Sequence, residues 1–139
     1  MEDLKLALSI VKAQYILSKK FDKLHIHGLG LSDFMLLYIL SSTPNKQCRR
    51  IDLAEQLGIT ASGITRLLAP MEKIGLVARQ ANERDARVSF VVITEVGERV
   101  YQEAKITAEE IANELFLSVK KKNKTGLLDA LMDLNIKII

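Results

Sequence analysis

The chain has 139 residues, 48% hydrophobic but only 5% aromatic and without Trp, so it favours one domain, or one domain with appended helices, around an aliphatic core. Its formal net charge of +3 is too mild to separate a nucleic-acid binder from an ordinary soluble protein. The single Cys excludes an internal disulfide, the acid-bearing start MEDLKLALSI lacks the basic segment of a secretory signal, and no apolar run reaches the roughly 18 residues of a membrane span; a cytoplasmic protein without membrane contact is expected.

Residues 2–23 are predicted to form a first helix. Leu4, Leu8, Val11 and Tyr15 recur at helical spacing along one stripe, and Leu6, Ile10, Ala13 and Leu17 along another. A face this wide exceeds one contact surface and points to a partner chain as well as to the body. Residues 25–32, HIHGLGLS, break the helix with two glycines. Ser32 or a neighbour then caps a second helix over 33–42, with Phe34, Leu37, Tyr38 and Leu40 as its apolar content. Thr43, Pro44 and Asn45 end it, residues 46–50 are polar and basic, and Ile51 is a candidate minimal strand.

Asp52 and Glu55 form a capping box that opens a third helix, with Leu53, Ala54 and Leu57 facing inward and Gly58 stopping it after two turns. Thr60 caps a fourth helix, and Ile59 and Ile64 hold the positions of a hydrophobic staple. Ile64, Leu67, Leu68, Met71 and Ile74 make its buried stripe, Gly75 ends it, and Leu76 packs back on the last turn. Pro70 lies inside this helix, where a missing N–H and a ring clash cost about 3 kcal/mol. It is read either as a kink aiming the N-terminal half or as a local bend.

Residues 76–80 and 88–93 are β-rich, and the loop over 81–87 between them is charged and turn-prone. Thr94 caps a long helix to about residue 122, residues 123–125 interrupt it, and a last helix covers 126–138. Leu127, Leu128, Leu131, Met132 and Leu134 make that helix more apolar than a lone surface helix needs. The fold expected is mainly α with a small β-hairpin.

Two short helices around a glycine turn, followed by a hairpin, describe a winged helix-turn-helix, which places its second helix in a DNA major groove. Thr60, Ala61, Ser62, Thr65 and Arg66 fall off the buried stripe of the fourth helix and are the candidate DNA-reading residues. Small side chains allow close approach, and Arg66 suits a guanine edge or a phosphate. Arg84 and Arg87, with Arg79 nearby, sit on or beside the hairpin tip within reach of a minor groove. Glu83 and Asp85 fit there as partners that fix the loop. The plainer alternative for both groups is a solvated polar surface.

The segments LAEQLGITASGITRLLAPMEKIGLV and NERDARVSFVVITEVG resemble the multiple-antibiotic-resistance regulator (MarR) family of bacterial repressors. The resemblance is specific over residues 51–97 and limited to helix order and length outside them. The family's wing motif usually begins with Asp; Asn82 stands there, with loss of a wing salt bridge a possible consequence, while Arg84, Asp85 and Arg87 match. The resemblance implies a homodimer joined by its N- and C-terminal helices, and therefore a pseudo-palindromic operator in double-stranded DNA. The chain then divides into an N-terminal dimerisation helix and loop (1–31), a winged helix-turn-helix (32–97) and C-terminal dimerisation helices (98–139).

Family members commonly bind small aromatic acids, which makes Tyr15, Phe34 and Tyr38 (with Phe21) candidate pocket residues for a ligand that weakens DNA binding. Ordinary core aromatics are the alternative. His25 and His27 read as a polar loop rather than a metal site, since two imidazoles without neighbouring ligands do not make one. Cys48, flanked by Lys46, Arg49 and Arg50, has neighbours that would lower its pKa, yet it is not where oxidant-sensing relatives carry their Cys. No catalytic constellation, phosphate loop or zinc spacing is present, so neither an enzyme nor a cofactor is expected. The function read from the sequence is a DNA-binding transcription regulator, a homodimeric repressor. The rivals are a winged helix used only for protein contacts and a membrane-surface helix protein.

Overall fold

A computed structural model describes residues 1–85 and 87–138; Ala86, inside the charged loop, and Ile139 lie outside the described residues. The chain runs α1 (Glu2–Phe21), a 3-10 helix (Asp22–His27), α2 (Leu31–Ser42), a 3-10 turn (Pro44–Lys46), β1 (Gln47–Arg49), α3 (Arg50–Leu57), α4 (Ala61–Lys73), β2 (Val77–Ala81), β3 (Ser89–Ile93), α5 (Glu95–Leu115) and α6 (Lys121–Asp133).

The core gathers around α2, which buries Phe34, Leu36, Leu37, Ile39 and Leu40 and is apolar on nearly every side, as a helix enclosed by others must be. Leu53 of α3, Ile64, Leu68 and Met71 of α4, Val77 and Val91 of the sheet, and Tyr101 and Ala104 of α5 close over it. The antiparallel sheet has the order β1-β3-β2, with Cys48 and Arg79 both opposite Val91. The hairpin expected from sequence therefore carries a third strand.

Several boundaries differ from expectation. The first helix ends at Phe21, and the 3-10 helix after it buries Leu24 before Gly28 turns left-handed at φ 75°. α2 starts at Leu31 because Asp33 Oδ2 accepts from the Gly30 N–H at 2.8 Å; Asp33, not Ser32, secures that end. Ile51 is helical and exposed, and the strand precedes it. Pairing of residues 47–49 with β3 fixes where the extended chain stops, so α3 begins at once at Arg50. Asp52 consequently sits within the first turn rather than at the cap, and no side-chain cap hydrogen bond forms. Ile74 is 62% exposed, because α4 ends at Lys73 and Ile74 leaves the buried stripe.

The break in the C-terminal helix falls at residues 116–120 instead of 123–125. Lys120 is extended and its carbonyl accepts from the N–H groups of Asn123 and Lys124, so these residues form the first turn of α6 and Gly126 lies inside it. α1 and α6 bury no residue. Leu4, Leu8 and Tyr15 on α1, and Leu127, Leu128 and Met132 on α6, are all more than half exposed. No single helix among the described residues is long and apolar enough to cross a membrane.

Candidate nucleic-acid interface

The turn between α3 and α4 is set by Gly58, at φ 71°, a conformation that a Cβ makes costly. The N–H groups of Gly58 and Ile59 reach back to the carbonyls of Glu55 (3.1 Å) and Ala54 (3.0 Å). Thr60 Oγ1 then accepts from the Gly63 N–H at 3.0 Å and starts α4. With Ile64, Leu68 and Met71 buried beneath it, α4 turns Ala61, Ser62, Thr65 and Arg66 outward, and Thr60 is exposed beside them. The Thr60 and Ser62 hydroxyls lie 3.2 Å apart. Thr65 Oγ1 donates to the Ala61 carbonyl (3.1 Å) and accepts from Arg50 Nη2 (2.8 Å). Arg50 was not anticipated. A start at Asp52 leaves it in a loop, whereas the actual start at Arg50 puts it on α3, next to α4.

The helix continues through Pro70, which has no N–H for the Arg66 carbonyl, while its own carbonyl accepts from the Ile74 N–H at 3.1 Å. Gly75, at φ 83°, closes α4, and the Leu76 N–H returns to the Met71 carbonyl at 2.9 Å. Thr94 locks this exit. Its N–H donates to the Leu76 carbonyl, its hydroxyl donates to the Gly75 carbonyl, and its oxygen accepts from Gly97 N–H to begin α5. One turn on, Glu98 Oε1 accepts from Ser41 of α2 (2.9 Å) and Gln102 (3.0 Å) and pairs with Lys46 (3.4 Å). Burial opposes the Glu98 charge, but hydrogen bonds from Gln102 and Ser41 and the Lys46 ammonium outweigh it and lower the pKa.

The wing loop is organised by its own side chains. Asn82 Oδ1 accepts from the Arg84 N–H at 2.8 Å, and Asp85 Oδ1 accepts from the Arg87 N–H at 3.0 Å. The Asn82 amide oxygen performs this turn without a carboxylate, so the departure from Asp leaves that local bond in place. Arg87 also lies on Asp85, at 3.2 Å, and its side-chain and backbone bonds hold the Asp85 carboxyl below the usual range. Arg84 is exposed, and Arg79 approaches Glu72 of α4 at 3.9 Å, tying the base of the wing to that helix.

The other candidate residues separate. Phe34 and Tyr38 meet at Tyr101, with ring centroids 5.5 and 6.5 Å from it, and burial pushes the Tyr101 hydroxyl up to about 12. Tyr101 was missed, although its spacing to Ala104 and Ala108 is that of a buried stripe. Tyr15 stands 68% exposed on α1, outside these ring pairs. His25 Nδ1 lies 2.7 Å from the Asp22 carbonyl, and His27 Nε2 lies 2.7 Å from Thr107 Oγ1. Cys48 corrects an expectation: burial, reinforced by Asp52, raises its pKa despite the basic neighbours.

Buried-stripe anchoring, an outward polar face and an Arg-bearing hairpin define a winged helix-turn-helix protein. The MarR family model matches residues 29–89, and similar solved structures carry the same assignment. Over that segment the chain is similar to the MarR family of transcription regulators. It is 26% identical over 104 residues to the HTH-type transcriptional regulator YdgJ of Bacillus subtilis, a match spanning 75% of this chain and 62% of that protein. It is 28% identical over 106 residues to the homoprotocatechuate degradative operon repressor of Escherichia coli, covering 74% and 70% of the two chains. Among solved structures, the transcriptional regulator BldR of Sulfolobus solfataricus superposes with a TM-score of 0.83 at 29% identity, over 96% of this chain and 94% of that one. Sco3205 of Streptomyces coelicolor, in complex with DNA, gives 0.82 at 22% identity, over 96% and 84%.

Proposed function

We propose that the chain is a homodimeric repressor that binds double-stranded DNA at a pseudo-palindromic operator. The observation that carries this reading is the exposed face of Thr60, Ala61, Ser62, Thr65 and Arg66 on a helix gripped from behind, beside a wing bearing Arg84 and Arg87. α4 enters a major groove, and the wing reaches an adjacent minor groove. The uncovered apolar faces of α1 and α6 support the dimer, residues 1–31 and 98–139 joining the copies and residues 32–97 reading DNA. The Escherichia coli relative is named a repressor, which supports that sense of regulation. A small aromatic ligand near Phe34, Tyr38 and Tyr101 weakens DNA binding, which requires unequal affinity for the DNA-bound and free arrangements. The protein works in the cytoplasm.

Selection of bound fragments from a random DNA library, followed by affinity against salt, tests the reading. The expected result is an inverted repeat with half-sites about 10 base pairs apart, or a multiple of that, and log affinity falling with log salt by about 0.9 per phosphate contacted. A folded protein with no such slope is a protein-interaction module instead.

A further inference from the structure

The residue that the fold adds to the reading face is Arg50. We propose that Arg50 binds a DNA phosphate at the edge of the major groove and that Thr65 positions it there. This rests on the DNA-binding reading above and names one of its contacts.

Thr65 has one hydroxyl proton, and it goes to the Ala61 carbonyl within α4. Its oxygen accepts from Arg50 Nη2 at 2.8 Å. With its donor spent inside the helix, Thr65 offers DNA little besides a methyl group and a remaining lone pair. Its hydroxyl serves instead as a tether for the guanidinium. The tether is neutral, and none of the ion pairs among the described residues includes Arg50, although Asp52 and Glu55 follow it closely in sequence. Arg87 provides the contrast, since its tether is the Asp85 carboxylate, which offsets its charge. Arg50 is therefore oriented without being neutralised. Part of the rotamer freedom that binding would remove is already gone, and most of its five N–H donors remain for an anion.

Position agrees with this role. In a helix-turn-helix the first helix crosses the phosphate backbone while the second enters the groove, and Arg50 opens the first helix with its guanidinium laid on the outward face of the second. The start of a helix is also where a cation is least favoured by the helix dipole, so the charge brings nothing to the stability of α3.

The test measures affinity against salt for the full chain and for Arg50→Ala, Arg50→Lys and Thr65→Val, on selected and on random DNA, with circular dichroism as the folding control. Arg50→Ala is expected to lower the salt slope by about 0.9 and affinity about eightfold near 0.1 M salt, equally on both DNAs. Arg50→Lys restores the slope, and Thr65→Val keeps the slope but loses affinity. A folded Arg50→Ala variant with the wild-type slope, or with altered base preference, overturns the phosphate contact. Thr65→Val binding as tightly as wild type overturns the tether. Wild-type chain without salt-dependent binding overturns the DNA reading itself, and this inference with it.

Discussion

Gly97 is the most tightly packed glycine, set between the exit of α4 and the start of α5, and Gly97→Ala is expected to destabilise the protein. A Cβ there would overlap the Leu76 carbonyl oxygen and come within 2.9 Å of the Leu76 carbonyl carbon and 3.0 Å of Ile93 Cγ1. The carbonyl cannot retreat freely, because the Thr94 N–H holds it at 3.1 Å and the Thr94 hydroxyl lies at the same distance. Overpacking against a core costs about 1–3 kcal/mol, and a lost hydrogen bond about 1 kcal/mol more. Against this, Ala gains about 1 kcal/mol over Gly in helix propensity. The clash wins, for a net loss of about 1–3 kcal/mol, or about 3–10 °C in Tm at this chain length. Gly126→Ala is the control. It lies inside α6 with nothing within 4 Å of an added Cβ, so it should gain about 0.5–1 kcal/mol. Thermal unfolding of the three proteins at one fixed concentration reads both shifts, since association also moves Tm. Gly97→Ala melting at or above wild type would refute the reasoning.

Arg66→Ala should cost about 1–3 kcal/mol of operator affinity if the guanidinium makes a paired base contact, and much less on random DNA; equal losses in a fluorescence-anisotropy titration would assign it to phosphate. Cys48, with its thiol pushed up by burial and by Asp52, should react with iodoacetamide more slowly at pH 7 than a free cysteine, its rate rising only at higher pH than usual. Rapid alkylation of the folded protein at pH 7 would contradict that environment.

The parts legible in the sequence are those governed by local chemistry. Gly58 and Gly75 need positive φ, Thr60 and Thr94 cap the helices that follow them, and each feature is complete within a few residues. Where a distant partner decides, local reading misplaces the boundary. β1 exists because Gln47 to Arg49 pair with β3, and that pairing moves the start of α3 ahead of the apparent capping box at Asp52. Arg50 was read only as a basic neighbour of Cys48, and its place beside α4 was missed, for the same reason. The break after Leu115 carries no Gly or Pro, whereas the Asn123 to Thr125 stretch that looks like a turn is helical. Tyr15 shared a helical stripe with core-like residues, yet that stripe faces outward and no residue of α1 is buried.

The grip of α5 on the winged helix-turn-helix has a mechanical consequence. Thr94 fastens the exit of α4, and Glu98, one turn later, fastens the end of α2 and the turn that leads into β1. The helix is thus fastened both to the chain that leads into the helix-turn-helix and to the chain that leaves it, so a change in its tilt would be passed to both ends of that motif. The 21 residues of α5 make a lever of about 31 Å, so that a rotation of about 10° at the motif corresponds to a displacement of about 5 Å at the far end. Small adjustments at the far end of α5 are in this way geared to the angle at which α4 is presented.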